Sequence, residues 1–361
     1  MEKIRVLVVE DSRTIRKRML EVLAADPEIE IVGEADDGKL GIDMCQQLRP
    51  DVVTLDMMMP VLSGLAATEF IMAYCPTPIL IVSASTNRGE LFNTYEALAA
   101  GALDALDKPR GNELDDAWDK KLIATVKLIS RIRVITHPRA RLGRMGQTPE
   151  APSHGIQQGQ ALQHSERLRA VAIGVSTGGP RALIEILRGL PRGFALPVFL
   201  VMHVGKLFTP AFAEWLGAQS SIPVRYAVDG NPLPPQGQGG VLMAPPDSQL
   251  VISGGKLRLT RTPERNSCRP SIDVLFESCA QELGAGAVGC LLTGMGKDGA
   301  AGLLAIRRAG GRTIAQDEAT SVVFGMPREA ILLGAAEQVL ALDQIAPRLG
   351  VLADARAGRP V

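Results

Sequence analysis

Along the first 125 residues, short β-rich runs alternate with longer stretches where apolar residues recur every three or four places. The runs IRVLVVE (4–10), IEIVGEA (29–35), DVVTLD (51–56), PILIVSA (78–84) and ALDAL (102–106) are too short for helices and predict strands. Between and after them, SRTIRKRMLEVLAA (12–25), DGKLGIDMCQQL (37–48), 63–74, 88–100 and Glu113 to Ile132 carry the helical period. Strands apolar on both faces need cover on both, and strict strand–helix alternation supplies it through crossover helices. The pattern predicts a doubly wound parallel sheet over 1–125.

Periodicity then disappears. GQTPEAPSHGIQQGQALQHS (146–165) is rich in Gly, Gln, Pro and Ser, has no aromatic residue, and marks 126–167 as a linker. Regular structure resumes over 168–352 with AVAIGV (170–175), a helix from Gly179, LPVFLVM, a helix around 208–217 and VRYAV. Gly254-Gly255 between QLVIS and KLRLT signals a small antiparallel hairpin. A helix at 271–283, AVGCLL, a glycine-rich turn and helix, RTIAQD, a helix around 327–334 and QVLAL complete a second α/β domain.

Composition narrows the function. A chain of 361 residues exceeds one ordinary core and suits two. Apolar stretches such as VLVV and PVFLVM fall far short of the roughly 18 residues of a membrane span, and the start, MEKIRVLVVED, lacks a signal-peptide core. No membrane insertion and a cytoplasmic location are expected. The five cysteines are odd in number and form no CxxC pair, which fits reduced core thiols. Counted by segment, 1–125 has 13 basic and 22 acidic residues, 126–169 has 8 and 2, and 170–361 has 18 and 15. Without a concentrated basic face in either folded unit, a nucleic-acid partner is not expected.

Chemistry in an open parallel sheet collects at the carboxyl ends of its strands. Glu10 and Asp11 end the first strand, Asp56 the third and Ser83 the fourth, while Lys108 follows the fifth. Three carboxylates in one place repel unless a hard cation such as Mg²⁺ joins them. Asp56 then reads as a phosphoryl acceptor, with Ser83 and Lys108 holding phosphoryl oxygens. Taken singly, each residue also suits a helix cap or a turn.

In the second domain, Gly174-Val-Ser176-Thr-Gly178 sits between a strand and a helix. This G-x-S-x-G placement exposes a hydroxyl beside helix N–H groups, although a serine before a helix is often only an N-cap. His203 is the one histidine outside the linker, which holds His137, His154 and His164, and it ends the next strand, where a general base belongs. Asp298, after AVGCLL, is the carboxylate best placed to orient it, with helix capping as the plainer alternative. Asp247 and Asp273 are weaker choices for the same role. Two rivals stay open: a nucleotide-binding oxidoreductase, which lacks GxGxxG here, and a receiver-controlled regulator without catalysis.

VVED, LDMMMP, VSA and KP (108–109) resemble response-regulator receivers, although Ala105 stands where that family often has an aromatic residue. GVSTGG, VMHVGKLFTPAFAEWL, MAPPD, LLTGMGKDGAAGL and VVFGMPREAI resemble the catalytic domain of chemotaxis protein-glutamate methylesterases. The resemblance implies a flavodoxin-like receiver followed by a Rossmann-like hydrolase. It further implies that Mg²⁺ is held by Glu10, Asp11, Asp56 and the Met58 carbonyl, with no cofactor at the hydrolase site. By the same resemblance, Ser176 is nucleophile, His203 base and Asp298 its orienter, with backbone N–H groups of Thr177 and Met295 facing the oxyanion. A cognate histidine kinase is the implied phosphodonor. The implied substrates are methylated glutamates, and in many members glutamines, on chemoreceptor cytoplasmic helices.

Overall fold

The computed structural model describes residues 2–84, 87–109, 116–132, 134, 168–205, 208–209, 211–235, 237–238 and 240–354. Most of the expected linker, with His137, His154 and His164, lies outside the described residues.

The first sheet has five parallel strands: β1 (Ile4–Val9), β2 (Ile29–Ala35), β3 (Val52–Leu55), β4 (Ile79–Ser83) and β5 (Asp104–Asp107). Their order, β2-β1-β3-β4-β5, is the flavodoxin-like doubly wound arrangement. Helices α1 (Arg13–Ala24), α2 (Gly38–Leu48), α3 (Gly64–Tyr74), α4 (Arg88–Ala100) and α5 (Asp116–Ile129) cover its two faces. Val8, Val53, Leu80 and Ile81 are wholly buried, as expected of strands covered on both sides. Helix α5 runs to Ile129 because Leu122, Val126 and Ile129 seal one face of the sheet.

The second sheet is larger, with the order β14-β13-β12-β6-β7-β9-β8. Its strands are β6 (Ala170–Val175), β7 (Val198–Met202), β8 (Val224–Tyr226), β9 (Val241–Met243), β12 (Ala287–Leu291), β13 (Arg312–Gln316) and β14 (Gln338–Leu340), all paired in parallel. The hairpin signalled by Gly254-Gly255 is β10 (Gln249–Ser253) with β11 (Lys256–Thr260). The helices are α6 (Gly179–Gly189), α7 (Phe212–Gln219), α8 (Ile272–Leu283), α9 (Ala300–Arg308), α10 (Met326–Leu332) and α11 (Leu342–Asp354). Two elements escape the sequence pattern. β9 is three residues long and follows the Pro- and Gly-rich stretch NPLPPQGQGG, and α11 carries Pro347 in its interior. Short strands and helix-interior prolines both defeat periodicity.

The chain leaves β6 toward β7 on one side and later returns to place β12 on the other. A crevice therefore opens at the carboxyl ends of β6 and β12, the place where doubly wound folds bind ligands.

The apolar cluster beneath the receiver sheet continues into the second domain, joining Tyr95 of α4 to Phe208, Phe212 and Trp215. Tyr95 packs edge-on against Phe212, with ring centroids 5.2 Å apart. The Trp215 indole N–H donates to Glu96 Oε1 at 2.8 Å, and Arg88 pairs with Glu214.

Candidate active site

The turn after β6 is set by what its glycines must avoid. A Cβ on Gly174 would sit 2.2 Å from Ile272 Cγ2, and one on Gly178 would sit 2.5 Å from Val322 Cβ. Gly178, at φ 79°, is itself the N-cap of α6, and Pro180 occupies its first turn. Ser176 therefore caps nothing. Its amide is tied to Thr293 O at 3.0 Å, which fixes the backbone at the head of the crevice. A Cβ on Gly294 would lie 2.7 Å from Ser176 Cβ, so glycine there lets the loop after β12 close over the serine.

His203 follows β7, and its backbone N–H donates to Val175 O at 3.0 Å, placing the ring beside the Ser176 turn. Its Nε2 lies 3.0 Å from Asp298 Oδ2. The approach is oblique, since Nε2 has no aligned hydrogen-bond partner. Nδ1 faces Cys268 Sγ at 3.9 Å. Among the described residues no hydrogen bond joins the Ser176 hydroxyl to His203, a looseness common in sites without substrate.

Asp298 is 3% exposed, yet well supplied with donors. Ser271 Oγ and Ile272 N donate to it at 2.7 Å, Asn266 Nδ2 at 3.0 Å and Asp273 N at 3.3 Å. The capping alternative thus has substance, but for α8 rather than for α9, whose N-cap is Gly299. The positive end of α8 favours the carboxylate. Burial works against its charge, but His203 and Asn266 outweigh it and hold Asp298 at about 2. Burial likewise disfavours the imidazolium, and Asp298 and Cys268 override it to raise His203 to about 9. An imidazole, a thiol and a carboxylate meet within 4.8 Å here. With both Asp298 oxygens already taken by N–H and O–H donors, the set reads as a hydrogen-bond network, not a metal cage.

Among the described residues, neither the Thr177 nor the Met295 backbone N–H has a partner. The Thr293 hydroxyl holds this rim by donating to Thr177 O at 2.9 Å and accepting from Val323 N at 2.9 Å. Asp247 instead pairs with Arg269, and Asp273 accepts from Gly302 N at 2.7 Å, so neither faces His203 as an orienter.

At the receiver edge, Lys108 Nζ lies 2.8 Å from Glu10 Oε1 and 2.9 Å from Asp56 Oδ2. Glu10, Asp56 and Ser83 are buried, and Asp11 is exposed beside them. Burial, and then the Asp56 charge, push Glu10 up to about 7; burial raises Asp56 despite Lys108. Among the described residues, Glu10 Oε2 and Ser83 Oγ are buried with no hydrogen-bond partner, and the buried Asp56 Oδ2 lies against the Lys108 ammonium. Orphaned buried oxygens and carboxylates raised by burial and by neighbouring negative charge fit a site built for Mg²⁺. Glu10, Asp11 and Asp56 each offer an oxygen within 4.8 Å of the others. Met58 is half exposed, and its N–H donates to Asp56 Oδ1 at 3.3 Å.

The response regulator receiver domain model matches residues 6–118, and the CheB methylesterase model matches residues 171–349. A protein-glutamate methylesterase/protein-glutamine glutaminase of Anaeromyxobacter dehalogenans is 44% identical, covering 96% of this chain and 98% of that protein. Another, of Pseudomonas aeruginosa, is 43% identical over 96% of each chain. The chain belongs to this methylesterase family. It is a hydrolase of chemotaxis signalling carrying its own receiver, and the oxidoreductase and non-catalytic readings fall away.

Within this methylesterase the sequence reading missed Asn266, Cys268 and Ser271, which touch the His203–Asp298 pair from a tight turn and the start of α8. The one local signal was the serine opening the helix at 271, which does cap α8 by accepting from Val274 N. The end of α5 and the residues just after it also reach the site. Leu128, Arg131 and Ile132 line one groove with Met295, Lys297 and Phe324.

Proposed function

We propose that the chain is a phosphorylation-activated serine hydrolase built as a receiver (1–125), a linker (126–167) and a methylesterase domain (168–352). Its substrates are γ-methyl glutamate esters, and also glutamines, on chemoreceptor cytoplasmic helices. Ser176 Oγ attacks the ester carbonyl while His203 takes its proton, and Asp298 holds the imidazolium that forms. The oxyanion settles against the Thr177 and Met295 N–H groups. His203 then returns the proton to the leaving methoxide, releasing methanol, or ammonia from a glutamine. Water activated by the same imidazole splits the acyl-serine and restores the hydroxyl.

The observation that carries this reading is the His203–Asp298 contact of 3.0 Å beside a serine that caps no helix. Control comes from a histidine kinase that phosphorylates Asp56. Glu10, Asp11, Asp56 and the Met58 carbonyl would hold Mg²⁺, which would supply charge neutralisation for the incoming phosphoryl group. Lys108 and Ser83 hold its oxygens. Unphosphorylated, the receiver holds the end of α5 and the residues after it over the groove beside Met295, which keeps a bulky helix out.

Methanol release from methylated receptor membranes tests the assignment. Ser176→Ala and His203→Ala should each lower turnover by about 10⁶-fold, as for other serine triads. A substantial share of activity left in Ser176→Ala would remove the serine from the mechanism.

A further inference from the structure

The residues Arg265 to Cys268 form a closed hairpin turn, with Arg265 N donating to Cys268 O at 3.1 Å and Cys268 N to Arg265 O at 2.9 Å. Its two central residues, Asn266 and Ser267, are left-handed at φ 52° and 59°. Asparagine tolerates that region better than most residues, and glycine would tolerate it best. What glycine lacks is an amide. The Asn266 side chain reaches from this exposed turn to two buried carboxylates, donating to Asp273 Oδ2 at 2.9 Å and Asp298 Oδ1 at 3.0 Å. An amide nitrogen has two hydrogens, and here each has a carboxylate.

Two buried carboxylates that both approach one nitrogen repel each other. Left alone, such a pair tends to keep a proton between them. The surroundings are unequal. Asp298 has donors from Ser271, Ile272 and Asp273, with His203 Nε2 3.0 Å away, whereas Asp273 has Gly302 N and, at 3.8 Å, the Arg265 guanidinium. That guanidinium is already occupied by Glu277. The other charged or titratable neighbours are Cys268, against His203, and Lys297, solvent-exposed beside Asp298 in the chain. Burial and the Asp298 charge raise Asp273, so Asp273 is where a stray proton would settle first.

We infer that Asn266 is a positioning residue of the hydrolase: its amide separates Asp298 from Asp273 and so keeps Asp298 charged and fixed against His203. The inference rests on His203 and Asp298 acting as base and orienter. Without the amide, the two carboxylates share a proton, Asp298 loses part of its charge, and the imidazolium loses its partner.

Asn266→Gly is the direct test, because glycine keeps the left-handed turn while removing the amide. In the full chain, the His203 imidazole titration is followed by NMR, with assignment from a His203→Gln spectrum, alongside the pH profile of kcat/KM on a small methyl ester. The His203 midpoint should fall by about half a pH unit or more, and kcat should drop by about tenfold with KM unchanged, as loosened positioning groups commonly cause. Adding Asp273→Asn to Asn266→Gly removes the competitor for the proton and should restore both the midpoint and most of kcat. Circular dichroism and Tm of each variant control for folding. An unmoved His203 midpoint, with or without lost activity, overturns the inference, as does failure of the double variant to recover. If Ser176→Ala is inactive in the same assay, the serine mechanism stands and only the role of Asn266 falls.

Discussion

The Tyr95 hydroxyl of the receiver donates to the Phe208 carbonyl of the hydrolase at 2.5 Å. Phe208 lies in the segment that leads from His203 to α7, and Tyr95 is wholly buried where the two domains meet. This hydrogen bond ties the helix that follows β4, whose last residue is Ser83, to the loop that follows the base. Ala105 leaves the receiver without the usual aromatic residue on β5, whereas Tyr95 on α4 reaches the hydrolase directly.

Tyr95→Phe keeps the ring and removes the bond. Losing it should weaken the domain contact by about 1 kcal/mol and raise basal activity on receptor membranes about fivefold. A fragment beginning near Ser165 should exceed the unphosphorylated whole chain and ignore phosphodonors. Small esters should gain less than receptors, because they pass a partial lid. Equal basal activity in the folded fragment and the whole chain would rule out occlusion.

His203 sets the pH dependence. Asp298 and Cys268 override burial and raise it to about 9, which favours the imidazolium, the form that cannot accept the serine proton. Activity on a small ester should therefore climb with pH and level off above about 9. For folding the sign is opposite. A raised folded-state value adds stability that is complete below the ordinary histidine value of 6.5 and lost as pH rises through about 9. A kcat/KM midpoint near 6.5 would mean that the Asp298 contact does not stabilise the imidazolium.

The receiver cluster makes phosphorylation depend on a divalent cation. With Glu10 raised by burial and by Asp56, and with buried oxygens lacking partners among the described residues, the carboxylates of the cluster oppose a phosphoryl donor unless a divalent cation offsets them. Radiolabel from a small phosphodonor should enter the wild type with Mg²⁺, vanish in EDTA and be absent from Asp56→Asn. Lys108→Ala should weaken coupling between label and esterase activity more than labelling itself. Full labelling of Asp56→Asn would place the acceptor elsewhere.

Much of this architecture is written locally. Residues 6–9 and 198–202 are buried strands because every side chain there is apolar, and Gly178 and Pro180 start α6 by their own backbone preferences. Because parallel sheets gather strand ends, Glu10, Asp56, Ser83 and Lys108 could be grouped from the sequence alone, as could Ser176 with His203. The partners of Asp298 could not. It caps a helix that begins 26 positions earlier in the chain. Cys268 faces a histidine 65 positions away, and Asn266 reaches Asp298 across 32. No periodicity records such pairs, since they depend on how the 265–268 turn folds over the crevice. Nor does it record Tyr95 against Phe208, which exists only because two separately patterned domains bury their apolar faces in each other. Local pattern determined the strands, their ends and the polar residues standing there. Packing between distant segments decided which of those residues are charged, held in place or covered, because those properties depend on neighbours in space.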